Sequence, residues 1–174
     1  MNKLLDVNNV SISFIQYTKG LKQQNLKVIT DLTLDIGEGE ILAVLGSSGS
    51  GKSLLAHAIL GILPDNADLK GEIKYNGNDL NQKSKEEIRG KEISLIPQSV
   101  NFLDPLMKIA DQVIGECETE EECRKKQIKQ RKIFEKYGLS EDVDNMYPFQ
   151  LSGGMARRVL ISTALLSNPK LIIA

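Results

Sequence analysis

Three features of the sequence predict an α/β fold. Val10, Ile12 and Phe14 alternate with serines, and Leu32, Leu34 and Ile36 alternate again, the period-two mark of half-buried strands. The apolar run at residues 41–45 is continuous and bounded by glycine, as expected of a strand buried on both faces. A glycine-rich segment and a helical pattern follow it directly, and further helical patterns extend toward the end of the chain. The 174 residues, 41% hydrophobic and 26% charged, suit one globular domain with a real core.

Taken in order, residues 16–27 are polar with one glycine and read as a loop. Gly37-Glu38-Gly39 closes the second strand with a turn. Residues 51–63 are helical in pattern and Pro64 stops them. Residues 71–79 read as a strand entering an Asn76-Gly77 turn. Ser84-Lys85-Glu86-Glu87 fits a capping box at the start of a short helix, and residues 93–96 form a strand ended by Pro97-Gln98. The pattern turns helical from Asp104. Thr119-Glu120-Glu121-Glu122 is a second capping box, whose helix runs to about Tyr137 with Gly138 as its C-terminal cap. Residues 155–166 form a third clear helix, broken by Asn168-Pro169, and residues 171–174 begin a buried strand.

The formal net charge of -1 gives no support to a nucleic-acid binder. The basic cluster at residues 124–136 is flanked by Glu120, Glu121, Glu122 and Glu135 and reads as a solvated helix. Cys117 and Cys123 match no zinc spacing, and are expected to be two free thiols suited to a reducing cytosol. The longest apolar runs, residues 41–45 and 58–63, fall far short of the roughly 20 residues of a membrane span.

Residues 46–53 carry the strongest chemistry. Gly46-Ser47-Ser48-Gly49-Ser50-Gly51-Lys52-Ser53 matches G-x-x-x-x-G-K-S in full, between an expected strand and an expected helix. Glycines let successive backbone N–H groups point into one concavity that binds oxyanions. The following helix offers its positive N-terminal end to the phosphates. In such a loop the lysine, Lys52, reaches the β- and γ-phosphates and the Ser53 hydroxyl ligates Mg²⁺. About a hundred residues later, Leu151-Ser152-Gly153-Gly154-Met155 forms a second backbone anion site before a helix. By itself that would read as an ordinary N-cap.

With both motifs in this order, the chain resembles the ATP-binding cassette (ABC) family, whose signature is Leu-Ser-Gly-Gly-Gln. The resemblance covers nearly the whole chain. It implies a P-loop NTPase core of ABC type with an antiparallel β subdomain and an inserted α-helical subdomain, the core being incomplete at the C-terminus. The implied division is residues 1–98 for the β subdomain and phosphate-loop core, about 99–150 for the helical subdomain, and 151–174 for the signature helix and the start of the Walker B strand. Gln98 falls at the family's Q-loop glutamine, which would contact Mg²⁺ and the attacking water and couple the site to the membrane subunit. Phe14 falls at the place of the adenine-stacking aromatic. A core aromatic is the equal alternative for Phe14, and Tyr17 is the other stacking candidate. His57, within the helix after the phosphate loop, reads as a surface or packed histidine.

The resemblance further implies a head-to-tail pair of ATPase subunits, in which Ser152, Gly153 and Gly154 touch the ATP held by a partner's Lys52. It implies integral membrane permease subunits as partners, a peripheral place on the cytoplasmic face of the membrane, and ATP hydrolysis. Leu103-Asp104-Pro105, Ala67-Asp68, Gly71, Tyr147-Pro148, Met155 and Arg158 resemble the peptide and nickel importer group, whose cargo is peptides, nickel or metal chelates. The family's acidic pair, an Mg²⁺-holding Asp and a water-polarising Glu, would follow residues 171–174. Its absence up to Ala174 implies a fragment of a longer ATPase that is itself inactive. The other readings are a nucleotide-binding module that does not hydrolyse ATP, and an ABC ATPase outside transport.

Overall fold

The computed structural model describes residues 3–17 and 23–174. They belong to two compact units, Met1–Arg89 and Gly90–Ala174.

The first unit is built on an antiparallel sheet. Strands β1 (Lys3–Tyr17), β2 (Gln23–Gly37), β3 (Ala67–Tyr75) and β4 (Asn78–Asp79) lie in the order β2-β1-β3-β4. Leu5 and Val7 of β1 are buried, and so are Val10 and Ile12. The buried set passes from odd to even positions because the ladder shifts register between Val7 and Val10, with Asn9 at φ 48°. A bulge of one residue resets the side-chain period and keeps both halves of a long strand facing one core. Asn76 and Gly77, at φ 49° and 76°, make the predicted tight turn from β3 to β4. Helices α1 (Lys52–Leu60) and α2 (Gln82–Ile88) complete this unit.

Four expectations are corrected here. The polar stretch 16–27 is mostly strand: Gln16 pairs with Gln24 and Tyr17 with Gln23, while residues 18–22 lie outside the described set. Backbone pairing carries an exposed hairpin whatever its side chains, so polarity misled. Residues 41–45 form no strand, and Ile41 and Leu45 are 96% and 92% exposed. A doubly buried strand needs ladder partners, and no ladder among the described residues includes this run. Helix α1 stops at Leu60, before Pro64, because Gly61 turns left-handed and its N–H and that of Ile62 close on the carbonyls of Ala58 and His57. The cap of α2 is Asn81, whose side chain accepts from the Ser84 N–H at 2.9 Å; Ser84 itself lies inside the helix.

The second unit contains parallel strands β5 (Ile93–Leu95) and β6 (Leu171–Ile173), and helices α3 (Ile109–Ile114), α4 (Glu120–Lys136) and α5 (Gly153–Leu166). Its core joins Leu103, Ile109, Val113, Phe134, Val143, Ala156, Val159 and Leu160. The Thr119 hydroxyl caps α4 by accepting from the Glu122 N–H, and Gly138 ends it at φ 66°, both as predicted. The thiol expectation fails: Cys117 and Cys123 are joined in a disulfide, their Cα atoms 5.5 Å apart. Gly115, at φ 65° after α3, lets the chain turn back, bringing Cys117 beside the first turn of α4. Among the described residues no helix is long and apolar enough to cross a membrane.

Candidate functional site: two glycine-rich helix N-termini

The phosphate loop lies in the first unit and ends on the N-terminus of α1. Its curl is fixed by the residues themselves. The Ser50 N–H donates to the Ser47 carbonyl at 3.2 Å, and Gly49 and Gly51 take φ 81° and 93°. A Cβ at Gly46 would lie 2.5 Å from the Ser50 hydroxyl oxygen. The left-handed backbone at Gly49 and Gly51 favours glycine, while a Cβ at Gly46 would oblige the Ser50 hydroxyl to turn aside. The backbone N–H groups of Lys52, Ser53 and Leu54 have no acceptor among the described residues, the expected orphan donors of a helix start.

Lys52 is exposed and folds its ammonium over the loop. It donates to the carbonyls of Gly46 and Ser47, both at 2.7 Å, and to the Ser50 hydroxyl at 3.3 Å. The cation is thus held on the concave backbone it would share with a phosphate. Ser53 is also exposed, one residue into the helix. No acid occupies the first turn of α1. Helix α4 differs, its own Glu120, Glu121 and Glu122 complementing the positive N-terminal end of its dipole. Lys126 donates to Glu122 and holds that carboxyl below its ordinary pKa.

In the second unit, Ser152 caps α5. Its hydroxyl accepts from the Met155 N–H at 3.2 Å, and its carbonyl accepts from the Ala156 N–H at 2.9 Å. Gly153 and Gly154 follow in the exposed first turn, again with no acid. A Cβ on either would meet nothing within 4 Å. Gln98 follows β5, and its exposed side chain has no hydrogen-bond partner among the described residues. Phe14 is half-buried on β1, opposite Leu26 and Ala67. His57 is partly buried within α1.

The structure therefore gathers residues 46–53 into one loop and brings the backbone at Gln98 to the signature helix. Arg157 makes that second link. Its Nη1 donates to the Pro97 and Gln98 carbonyls at 3.0 and 2.8 Å. Arg158 donates to the Tyr137 and Gly138 carbonyls and back to Gly154. Sequence reasoning missed Arg157; its only local signal is a cation one turn beyond Gly153 on the signature helix.

These features agree with the comparisons. Residues 29–174 match the family model described as ABC transporter. The chain is 35% identical over its whole length to the oligopeptide transport ATP-binding protein OppD of Bacillus subtilis, covering 50% of that protein. It is 33% identical to the dipeptide transport ATP-binding protein DppD of Lactococcus lactis, with 99% of the chain and 51% of the relative aligned. The chain thus spans about half the length of the curated relatives it matches. Among solved structures, the dimeric bacterial ABC transporter cassette MJ0796 superposes with a TM-score of 0.75 at 27% identity, over 97% of this chain and 72% of that one. Its post-hydrolysis form, bound to ADP and Pi, gives 0.74 at 28% identity over the same shares. On the family match across most of its residues, with a whole phosphate loop and an intact Leu-Ser-Gly-Gly turn, the chain belongs to the ABC transporter family.

Proposed function

We propose that this chain binds ATP with Mg²⁺ at the phosphate loop and, within a longer protein, powers peptide uptake through a membrane permease. The observation that carries the reading is the acid-free, glycine-defined N-terminus of α1 with Lys52 folded over it. The orphan amides of Lys52, Ser53 and Leu54 and the Lys52 ammonium suit the oxyanions of a triphosphate. No cluster of three or more His, Cys, Asp or Glu that could hold a metal exists among the described residues. Mg²⁺ would accordingly arrive with the nucleotide, the Ser53 hydroxyl serving as its protein ligand and Gln98 keeping the metal and water contact that the resemblance gives it. Phe14 is the proposed adenine-stacking residue.

Gly153 and Gly154 support a head-to-tail partner. Each costs the helix up to about 1 kcal/mol relative to alanine, and among the described residues nothing lies within 4 Å of where a Cβ on either would sit. A close approach by another molecule gives that cost a reason, and a phosphate held by a second cassette's Lys52 fits an acid-free helix start. The relatives' names, oligopeptide and dipeptide transport, favour peptides over nickel or metal chelates as cargo. A peripheral place on the cytoplasmic face of the membrane, beside the permease, follows from the same role. Hydrolysis is proposed for the whole protein, since this chain spans about half the length of its curated relatives.

The deciding experiment is Lys52→Ala, assayed with a fluorescent ATP analogue. Among the described residues Lys52 hydrogen-bonds only within its own loop, and it is exposed, so the variant should keep its fold and its melting temperature. Binding should be lost. Retained affinity would refute the assignment.

A further inference from the structure

We propose that Arg157 is a positioning residue that ties the Gln98 segment to the signature helix, so that the two move as one body. The inference rests on the ATP-hydrolysis reading above. Strand β5 ends at Leu95, and the Ile96 N–H makes the last bond to its neighbour, at the Ile173 carbonyl. Pro97 has no N–H to continue the ladder. Beyond it, the Pro97 and Gln98 carbonyls are both taken by one guanidinium nitrogen of Arg157, at 3.0 and 2.8 Å. These are charge-assisted bonds spanning 60 and 59 positions of sequence. They fix the backbone of Gln98 and leave its side-chain amide free among the described residues.

The other end of the tie is equally specific. Arg157 stands four residues after Gly153, so it projects from the same face of α5 as the start of the signature turn. The helix is itself anchored, because Arg158 spans the Gly154 carbonyl and the C-terminal carbonyls Tyr137 and Gly138 beyond α4. A shift of α5 is thereby passed by Arg157 to Gln98, and a shift of Gln98 to α5. An arginine serving only surface solubility needs neither pair of bonds.

The test uses the full-length protein assembled with its partner cassette, with phosphate release as the assay. Arg157→Ala should lower kcat by roughly ten- to a hundredfold, the scale of a misplaced catalytic group, while KM for ATP and binding of the fluorescent analogue stay unchanged. Gln98→Ala should lower kcat too, and the double variant should be no worse than Gln98→Ala alone, because one residue acts through the other. Arg157→Lys, which keeps a donor cation, should recover part of the loss. The inference is overturned if Arg157→Ala turns over like wild type, or if its loss multiplies with that of Gln98→Ala. Full turnover by Gln98→Ala would remove the Gln98 role and this inference with it. The ATP-binding reading fails by a different measurement, retained nucleotide binding by Lys52→Ala.

Discussion

The two glycine-rich helix starts differ in why they contain glycine. At the phosphate loop the chain itself demands it: Gly51 sits at φ 93°, and a Cβ there would lie 2.8 Å from the Ile29 side chain of β2. At the signature turn, Gly153 and Gly154 have open space around them and no left-handed backbone. One pair of motifs thus separates two kinds of constraint. The first is internal, and any disturbance of it should be felt by the isolated chain. The second, on the proposed pairing, is external, and should be silent until another molecule arrives.

The largest effect is expected where the demand is internal. Gly51→Ala forces a left-handed alanine against Ile29 and Val28. Left-handed backbone alone costs about 1–2 kcal/mol, and the close approach adds to it, so a loss of about 2 kcal/mol or more is expected. The N-terminus of α1 would shift away from β2, and affinity for nucleotide should fall together with stability. Urea unfolding beside analogue binding checks both. A Gly51→Ala protein as stable and as tight-binding as wild type would erase the distinction.

Gly153→Ala and Gly154→Ala should behave in the opposite way. Each replaces glycine in the first turn of a helix with the best helix former, without a collision. Stability should hold or rise by up to about 1 kcal/mol for each. Nucleotide binding by the single chain should be unaffected. ATP turnover by the assembled pair should collapse, since the added methyl occupies the space proposed for a partner's nucleotide. Destabilised variants would show an internal demand that the structure does not reveal. Variants with full turnover would remove the partner from the argument.

The same division explains what the sequence makes legible. The Asn76-Gly77 turn, the Thr119 cap and the Gly138 stop depend on residues within a few positions of one another, and all three are as read. Residues 41–45 carry the apolar pattern of a buried strand, but burial also needs partner strands that pattern alone cannot supply. Asn81 and Ser84 both fit a cap by type, and only the backbone decides between them. Cys117 and Cys123 are close in sequence, yet their pairing depends on a reversal at Gly115. The link from Arg157 to Gln98 crosses 59 positions, and no local rule could find it. The core of the second unit likewise mixes residues from the expected helical segment with those of the signature helix.

The smallest effect concerns how the phosphate-loop helix is held at its far end, and it sharpens what internal support means. Gly61, just past α1, lies against the Lys85 stem of α2, where a Cβ would come 2.9 Å from the Lys85 Cβ. Gln82 and Arg89 flank it and donate to the Gly61 and Leu60 carbonyls at 3.0 and 3.1 Å, so α2 caps α1. Lys85 is only 5% exposed, and desolvation holds its ammonium below its ordinary pKa. In the unfolded chain the same group titrates near the ordinary lysine value of 10.5. Between the lowered folded pKa and 10.5 the unfolded state therefore binds more protons, and folding stability gains as pH rises through that window. Below the folded pKa the penalty is fully present. Lys85→Met keeps the length of the stem and removes the charge, so it should stabilise the protein at pH 7, by an amount that shrinks as the pH approaches 10.5. Nucleotide affinity should not change, because the nine residues of α1 place this contact roughly 13 Å along the helix from the phosphate loop. Urea midpoints of both proteins at pH 7 and pH 10, with analogue binding alongside, make the comparison. A destabilised Lys85→Met protein would mean that the ammonium is a needed partner at the end of α1, and that support of the phosphate-loop helix includes charge as well as packing.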